Sequence, residues 1–276
     1  MSSQTVYQPS PNILVRQSSL YQTNSGIVLA GGKAALVDPG IFKTDLDELD
    51  QLRKPHPIAF GLITHAHWDH ILWSPRFDPA PRYCSIGTDY HLQLDETSLR
   101  AQLQQAEQEN GSQFGTWDQA RFFDRQVLVP GTYDLESFHF EVVELPGHCP
   151  GQAGFVFKDQ SVVFVADTLS DAEVPTVPDR ASIAIYLETL NQLELIIQQL
   201  HWVVPGHGSP ATSLEALQRL TLDRAYLSSL ARFNGFSSPV NRETEARSFL
   251  DRLGETRANL EPGWSMHLEN LDNISR

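Results

Sequence analysis

Four short apolar segments of the chain each end in a turn that carries histidine or aspartate. Each segment is a run of apolar residues stopped by Gly, Pro or polar residues, which predicts a buried strand. The four turns are Thr64-His65-Ala66-His67-Trp68-Asp69-His70, Pro146-Gly147-His148, Ala166-Asp167-Thr168 and Pro205-Gly206-His207-Gly208. Any one of the last three, taken alone, is usually no more than a turn. Together they predict a single site, in which four strand ends deliver ligand groups to one edge of a sheet.

The first of these turns has a composition that suits metal chemistry. Within six residues it holds three imidazoles and a carboxylate, in the order His-x-His-x-Asp-His. The alternative is a solvated run of loop histidines, which the three other turns make the weaker hypothesis. We therefore expect a metal site in the loop that follows the strand predicted at 58–63.

Hydrophobic periodicity predicts two β-rich halves, each accompanied by helices. Strands are predicted at 13–17, 25–30, 33–38 and 58–63 in the first half, and at 126–129, 132–135, 138–145, 154–157, 161–166 and 202–204 in the second. Helices are predicted at 43–54, 183–200, 213–232 and 243–253. Gly31-Gly32 is typical of a tight hairpin turn. This order predicts an α/β fold in which two mixed sheets pack between outer helical layers.

Two regions stand outside the alternation of strands and helices. Residues 92–120 are rich in Gln and Glu and helical in propensity, which predicts a helical insertion that either helps to cover a site or simply connects two strands. Beyond Pro210 the strand pattern disappears, and Thr212 with Glu215 resembles a capping box at the start of a helix. We therefore predict an α/β domain at 1–208 and a helical C-terminal extension at 209–276 that packs on it.

Composition and charge narrow the class of function. A chain of 276 residues can bury one large core, and none of its apolar runs approaches the length of a membrane span. The net charge of −14 argues against nucleic acid or an anionic membrane as partner, because both attract basic surfaces. Two cysteines, Cys84 and Cys149, are too few for a disulfide framework. The polar N-terminus lacks the features of a signal peptide, so we expect a cytoplasmic enzyme with a small-molecule substrate, its oligomeric state left open.

The order of the four turns resembles the metallo-β-lactamase-fold hydrolases, and within them the glyoxalase II-like branch. The resemblance rests on His-x-His-x-Asp-His, then Pro-Gly-His, Asp-Thr and Pro-Gly-His-Gly, and it covers residues from about 20 to 208. It implies an αββα sandwich with a two-metal site at the open edge of the two sheets. The chain departs from the family pattern at Ala166, because the family usually has Gly before the bridging Asp.

The resemblance also implies which residues hold metal. The first ion would be bound by His65, His67 and His148, the second by Asp69, His70 and His207, with Asp167 as the bridge. Alternate residues of an extended loop point the same way, whereas the neighbours Asp69 and His70 diverge, so one loop can serve two ions. Imidazole and carboxylate ligands suit Zn²⁺, while Fe²⁺ and Mn²⁺ stay alternatives because the set contains no thiolate.

Three residues beside the ligands have expected roles of their own. Asp38, at the tip of its strand, would accept a hydrogen bond from a ligating imidazole, the alternative being a turn acid beside Pro39. Asp69 would position the attacking water or carry its proton, in addition to binding metal. Cys149 follows a ligand directly, and we expect a small buried residue there rather than a nucleophile. The remaining histidines are expected on the surface or in the core.

These residues predict a metal-dependent hydrolase. Two divalent ions about 3.5–4 Å apart would activate a water that bridges them, and a thioester, ester or lactone is the leading substrate class. Three alternatives stay open. The first is a phosphodiesterase for small phosphate esters, and the second is a persulfide dioxygenase in which only His65, His148 and Asp167 hold a single iron. The third is a metal-bound sensor or effector without turnover.

Overall fold

Two β-sheets form the centre of the molecule. The structure is a computed structural model, and it describes residues 5–117, 124–259, 261 and 263–275. The first sheet has seven strands in sequence order: β1 (Thr5–Ser10), β2 (Ile13–Gln17), β3 (Asn24–Ala30), β4 (Lys33–Val37), β5 (Ile58–Ile63), β6 (Arg82–Ser85) and β7 (Gln126–Leu128). Neighbours run antiparallel from β1 to β4 and parallel from β4 to β7. The strands predicted in this half of the chain are confirmed, while β1 and β6 were not predicted.

The hairpin between β3 and β4 is confirmed at the predicted turn. Gly31 and Gly32 connect the paired residues Ala30 and Lys33. Their φ angles are 53° and 76°, in the left-handed region that a tight hairpin turn requires at both positions. Residues with a Cβ rarely adopt this backbone conformation, so the two glycines set the register of the hairpin.

The second sheet has six strands in the order β13-β12-β11-β10-β9-β8. They are β8 (Gly131–Leu135), β9 (Phe138–Glu144), β10 (Ala153–Phe157), β11 (Val162–Phe164), β12 (Trp202–Val204) and β13 (Ala211–Thr212). Strands β11 and β12 run parallel and the other neighbours antiparallel. The long helix α4 (Arg180–Ile197) makes the crossover between β11 and β12 that a parallel pair needs.

The two sheets pack face to face, and helices cover their outer faces. Phe60 of the first sheet meets Phe138 and Phe140 of the second, with ring centroids 5.0 and 6.0 Å apart. Helix α1 (Lys43–Leu52) buries Leu46 and Leu49 against the first sheet. Helix α4 lies against the outer face of the second sheet with α5 (Ser213–Ala231) beside it. The predicted αββα architecture is confirmed.

The remaining helices belong to the two regions that stood outside the strand pattern. The insertion predicted at 92–120 contains the end of helix α2 (Ile86–Leu94) and all of helix α3 (Glu96–Asn110), and its residues 118–120 lie outside the described residues. Helix α3 buries Leu99 and Leu103 in a cluster with Ala66 and Trp68, so it supports the His-rich loop from the side.

The C-terminal region adds to the second sheet before it becomes helical. Strand β13 lies beyond residue 208 and pairs with β12. The predicted capping box opens α5, where Thr212 Oγ1 accepts from the backbone N–H of Glu215. Helices α6 (Arg242–Leu253) and α7 (Gly263–Ser275) complete the layer. In the part of the chain that the structure describes, no helix has both the length and the apolar character to cross a bilayer.

Candidate metal centre

The structure brings all seven predicted ligands together at the tips of β5, β9, β11 and β12. One group is formed by His65, His67 and His148, whose ligand atoms lie within 4.8 Å of one another. A second group is formed by Asp69, His70 and His207, under the same distance limit. The carboxylate of Asp167 lies between the groups and contacts nitrogens of both. Its Oδ2 is 3.4 Å from His65 Nε2, 3.3 Å from His148 Nε2 and 3.2 Å from His207 Nε2. Its Oδ1 is 3.3 Å from His70 Nε2.

Four of the five histidines are oriented by a hydrogen bond at the nitrogen that faces away from the centre. The pairs are His65 Nδ1 with Thr64 Oγ1 at 3.0 Å, His70 Nδ1 with Asp38 Oδ2 at 3.0 Å, His148 Nδ1 with Thr176 Oγ1 at 2.6 Å, and His207 Nδ1 with the Tyr21 carbonyl at 3.0 Å. A carboxylate and a carbonyl can only accept, so His70 and His207 donate through Nδ1. In their neutral forms both rings therefore present an unprotonated Nε2 to the centre.

The inner nitrogens and oxygens fit the ligand shell of a small divalent cation. His70 Nε2 and His207 Nε2 lie only 3.2 Å apart, a distance that requires either a proton or a metal cation between the two nitrogens. His65 Nε2 and Asp167 Oδ1 are buried without a hydrogen-bond partner among the described residues. Bond lengths of about 2.0–2.1 Å to zinc imply ligand-to-ligand edges of about 3.3 Å in a tetrahedron. The observed contacts of 3.1–3.4 Å match this spacing.

Asp38 and Thr64 form a small network behind the first turn. Asp38 Oδ1 accepts from the Thr64 backbone N–H at 2.9 Å, and Asp38 Oδ2 accepts from Thr64 Oγ1 at 2.6 Å as well as from His70. Because the Thr64 hydroxyl gives its hydrogen to Asp38, it accepts from His65 Nδ1. One buried carboxylate thus orients an imidazole of each ligand group.

The backbone around Asp167 and His207 is unusually tight. A Cβ on Gly206 would lie 2.0 Å from Asp167 Oδ1 and 3.0 Å from His70 Cε1, so only glycine fits. Ala166 has a φ of 51°, in the left-handed region that costs about 1–2 kcal/mol for a residue with a Cβ. This explains physically why glycine is usual before the bridging Asp. Asn24 Nδ2 fixes the turn that carries His207 by donating to the carbonyls of Pro205 and Gly208 at 2.8 and 2.7 Å.

The charges of the centre shift the pKa values of its histidines in opposite directions. Burial disfavours the charge on His207, but the carboxylates of Asp167, Glu173 and Asp69 outweigh burial and raise the pKa to about 10. Burial lowers the pKa of His148 to about 3, aided by the neighbouring histidines against the pull of Asp167. In the absence of metal, protons therefore neutralise the carboxylates, and a divalent cation must displace them to bind.

Cys149 lies beside the first ligand group without the chemistry of a nucleophile. Its sulfur is within 4.8 Å of the ligand atoms of His65, His67 and His148. Burial, and then the charge of Asp167, raise the pKa of the Cys149 thiol, so it stays protonated near neutral pH.

Sequence patterns did not reveal several residues around the centre. Tyr21 and Glu173 line the site, Thr23 Oγ1 lies 3.3 Å from His207 Nδ1, and Thr176 orients His148. None belongs to a motif, because each comes from a loop that tertiary packing brings to the strand tips. Backbone strain also marks this loop, because Tyr21 and Gln22 both have φ above 50° and neither is glycine. This strain is seen only in the structure and not in the sequence.

A cavity of about 330 Å³ opens over the centre. Its floor consists of ligands from both groups, and its far wall comes from α7. The side chains along its walls are Tyr21, Glu173, Thr176, Val177, Pro178, Met266, Glu269, Asn270 and Asn273. The helical C-terminal region therefore shapes the space in which a substrate would meet the metals.

Comparison with known proteins agrees with this geometry. The sequence model of the metallo-beta-lactamase superfamily matches residues 19–228 of the chain. The chain belongs to this superfamily. Members bind divalent metal ions, and the His/Asp groups described above have the composition for it. The recognition made from the four turns is thus confirmed.

Two bacterial relatives place this superfamily member among metallo-hydrolases. The chain is 24% identical over 207 residues to hydroxyacylglutathione hydrolase GloC of Haemophilus influenzae, covering 73% of this chain and 92% of that protein. It is 27% identical over 218 residues to a probable metallo-hydrolase of Streptococcus pyogenes, covering 74% of this chain and 83% of that protein. A solved beta-lactamase domain protein from Burkholderia ambifaria shares the fold with a TM-score of 0.67 at 18% identity, over 99% of this chain and 89% of that one. The expected enzyme class, a metallo-hydrolase, is confirmed.

Proposed function

We propose that this metallo-hydrolase cleaves a thioester, ester or lactone at a centre of two divalent metal ions, with zinc as the first choice. The observation that carries the proposal is the arrangement of imidazole nitrogens and carboxylate oxygens in two groups on either side of Asp167. The name of the Haemophilus influenzae relative, a thioester hydrolase, supports thioesters among the substrate classes.

Each ligand group would hold one ion. His65, His67 and His148 would bind the first, and Asp69, His70 and His207 the second. Asp167 is suited to bridge them because its carboxylate contacts nitrogens of both groups at 3.2–3.4 Å. A pair of such ions supplies a water whose pKa is lowered towards about 7, which makes it a nucleophile at neutral pH.

The protein's part in the reaction is to position groups and hold protons. Asp69 Oδ2 lies 3.3 Å from His70 Nε2 and 3.4 Å from His207 Nε2, at the floor of the cavity, where it can accept a hydrogen bond from the attacking water. Thr23 Oγ1 donates to the same oxygen at 3.4 Å and limits its rotation. The hydroxyl of Tyr186 donates to the Asp167 carbonyl at 3.0 Å and anchors the bridging residue from behind.

The construction of the second ligand group favours two ions over the single iron of a persulfide dioxygenase. A mononuclear site needs only His65, His148 and Asp167, yet His70 and His207 are buried and oriented as fully as the first group. With the carboxylates of Asp69 and Asp167 beside them, these two imidazoles supply the ligand types of a second ion.

Metal analysis with a matched variant tests the proposal. Purified protein loaded with zinc should contain about two ions per chain and release thiol, alcohol or ring-opened product from only one of the ester classes. His67→Ala should lose metal and at least a hundredfold in kcat/KM while it stays folded, because the residue lies on a loop. His201→Ala, at an exposed histidine before β12, is the control and should keep both its metal content and its kcat/KM. Iron with oxygen uptake, or cleavage of phosphodiesters alone, would overturn the proposal.

A further inference from the structure

One carboxylate in the wall of the cavity accepts no hydrogen bond from the residues that the structure describes. Glu173 is only 9% exposed, yet its side-chain oxygens make no hydrogen bond among the described residues. The nearest cation is His207, whose Nδ1 lies 4.0 Å from Glu173 Oε1. That nitrogen already donates to the Tyr21 carbonyl at 3.0 Å. Because Glu173 lines the cavity and none of the described residues donates to its carboxylate, the group is available to a ligand that supplies a donor.

The charge of the cavity lining is one-sided. No Lys or Arg is present among the described residues that line it, whereas Glu173 lies in its wall and the exposed Glu269 at its rim. Arg257 lines the neighbouring cavity on the other side of Glu173, but its guanidinium is bound by Asp223 at 2.6 Å and by Glu255 at 2.6 Å. An anionic group of a substrate would therefore meet no basic side chain on its way to the metals.

An aromatic ring lines the same two cavities as this carboxylate. Tyr21 lines the same cavity, and its ring packs edge-on against Trp68 with centroids 6.3 Å apart. Its carbonyl accepts a hydrogen bond from His207, which fixes the backbone of Tyr21 beside the centre. An aromatic ring and a carboxylate that line one cavity can together bind an organic ammonium group.

We propose that the substrate of this enzyme carries a positively charged ammonium group on its leaving-group side, and that Glu173 and Tyr21 bind this group. The inference rests on the proposed function, since it concerns the same cavity. It makes Glu173 a specificity residue that selects cationic over neutral substrates and disfavours anionic ones.

A charge series of thioesters tests the inference. Acetylthiocholine is cationic, S-(3,3-dimethylbutyl) thioacetate is its neutral isostere, and S-acetyl-3-mercaptopropionate is anionic. With zinc-loaded full-length protein at pH 8, release of thiol should give kcat/KM about tenfold higher for the cation than for the isostere, and lower still for the anion. Glu173→Gln should bring the first two within about twofold of each other, because the amide keeps the shape and removes the charge.

Two results of this assay separate the inference from the function on which it rests. Hydrolysis that favours the neutral or anionic thioester, or an unchanged preference in Glu173→Gln, overturns the inference and leaves the hydrolase assignment standing. Glu188→Gln, an exposed carboxylate of α4 that does not line the cavity, is the control and should keep the preference of the wild type.

Equilibrium binding tests the inference even if no thioester is cleaved. By calorimetry on the zinc-loaded protein, choline should bind about tenfold more tightly than its neutral isostere 3,3-dimethylbutan-1-ol. The difference should disappear in Glu173→Gln and weaken in Tyr21→Leu. Equal affinities in the wild type overturn the inference. Absence of hydrolysis together with a preference for choline would count against the proposed reaction and for the ammonium site.

Discussion

Replacing Gly206 by alanine should remove metal from the centre while leaving the fold largely intact. The new Cβ would lie 2.0 Å from Asp167 Oδ1, whereas ordinary contact begins near 3.4 Å. The carboxylate must therefore retreat by about 1.4 Å, the difference between the two distances. Metal–ligand bonds tolerate deviations of only about 0.2 Å, so Asp167 could no longer serve both ion positions.

The size of the effect differs between folding and metal binding. Overpacking costs about 1–3 kcal/mol, and the low end applies because a side-chain oxygen can move. Displacement of a ligand should cost more than the 10–100-fold in metal affinity that loss of an orienting residue typically costs. Zinc affinity of Gly206→Ala should thus fall at least a hundredfold, and hydrolysis with it.

Chelator competition and thermal unfolding measure the two effects on the same samples. Gly235→Ala is the control, because its φ is 90° but no atom lies within 4 Å of its Cβ position. It should lose about 1 kcal/mol of stability through backbone strain and keep full metal content. If Gly206→Ala binds two ions with the affinity of the wild type, the close approach of this turn to Asp167 is not what positions the bridge.

Three further measurements follow from the same structure. Because the pKa of His207 is raised to about 10 in the metal-free centre, zinc must displace protons, and its affinity should rise about tenfold per pH unit for each proton released; an affinity that stays flat between pH 6 and 8 would contradict this. Thr176→Val should lower zinc affinity about 10–100-fold, because the His148 ring loses the acceptor that orients it, and affinity equal to the wild type would refute that role. Burial lowers the pKa of His267 to about 4 in the folded chain, below its unfolded value of about 6.5, so the metal-free protein should lose stability as pH falls from 6.5 towards 4. Urea unfolding at pH 7 and 4.5 measures this drop in the free energy of unfolding, which should be about 2 kcal/mol smaller in His267→Gln than in the wild type. An equal drop in both proteins would show that His267 does not cause it.

Local signals were enough to predict most elements of the fold. The bounds predicted for β5 and β12 agree with the structure, and α5 begins at its predicted capping box. In each case a run of apolar residues is bounded by Gly, Pro or a capping residue, so the information lies within the segment. Strand β6 was not predicted because it begins with Arg82, whose guanidinium is buried and donates to the Ile71 carbonyl at 3.1 Å. Only its neighbours make such a residue acceptable in a strand.

The residues of the metal centre also fall into a set that the sequence predicts and a set that it does not. Its histidines and aspartates were recognised from spacing, because the residue types in the turns are themselves the chemistry. Thr176 and Glu173 were not, although one orients a ligand and the other gives the cavity its charge. Their positions depend on how the loop after β11 folds back over the strand tips, and no local pattern encodes that path.

By itself, the order of residues determined the family, the two-sheet architecture and the side chains able to bind metal. These follow from periodicity and from functional groups that lie next to one another in the chain. Tertiary structure alone decided which histidines of the metal-free centre hold protons, that a Cβ at position 206 cannot be accommodated, and that the cavity is acidic. Those properties arise from burial and from distances between segments more than a hundred residues apart, such as the 3.2 Å that separates His70 from His207.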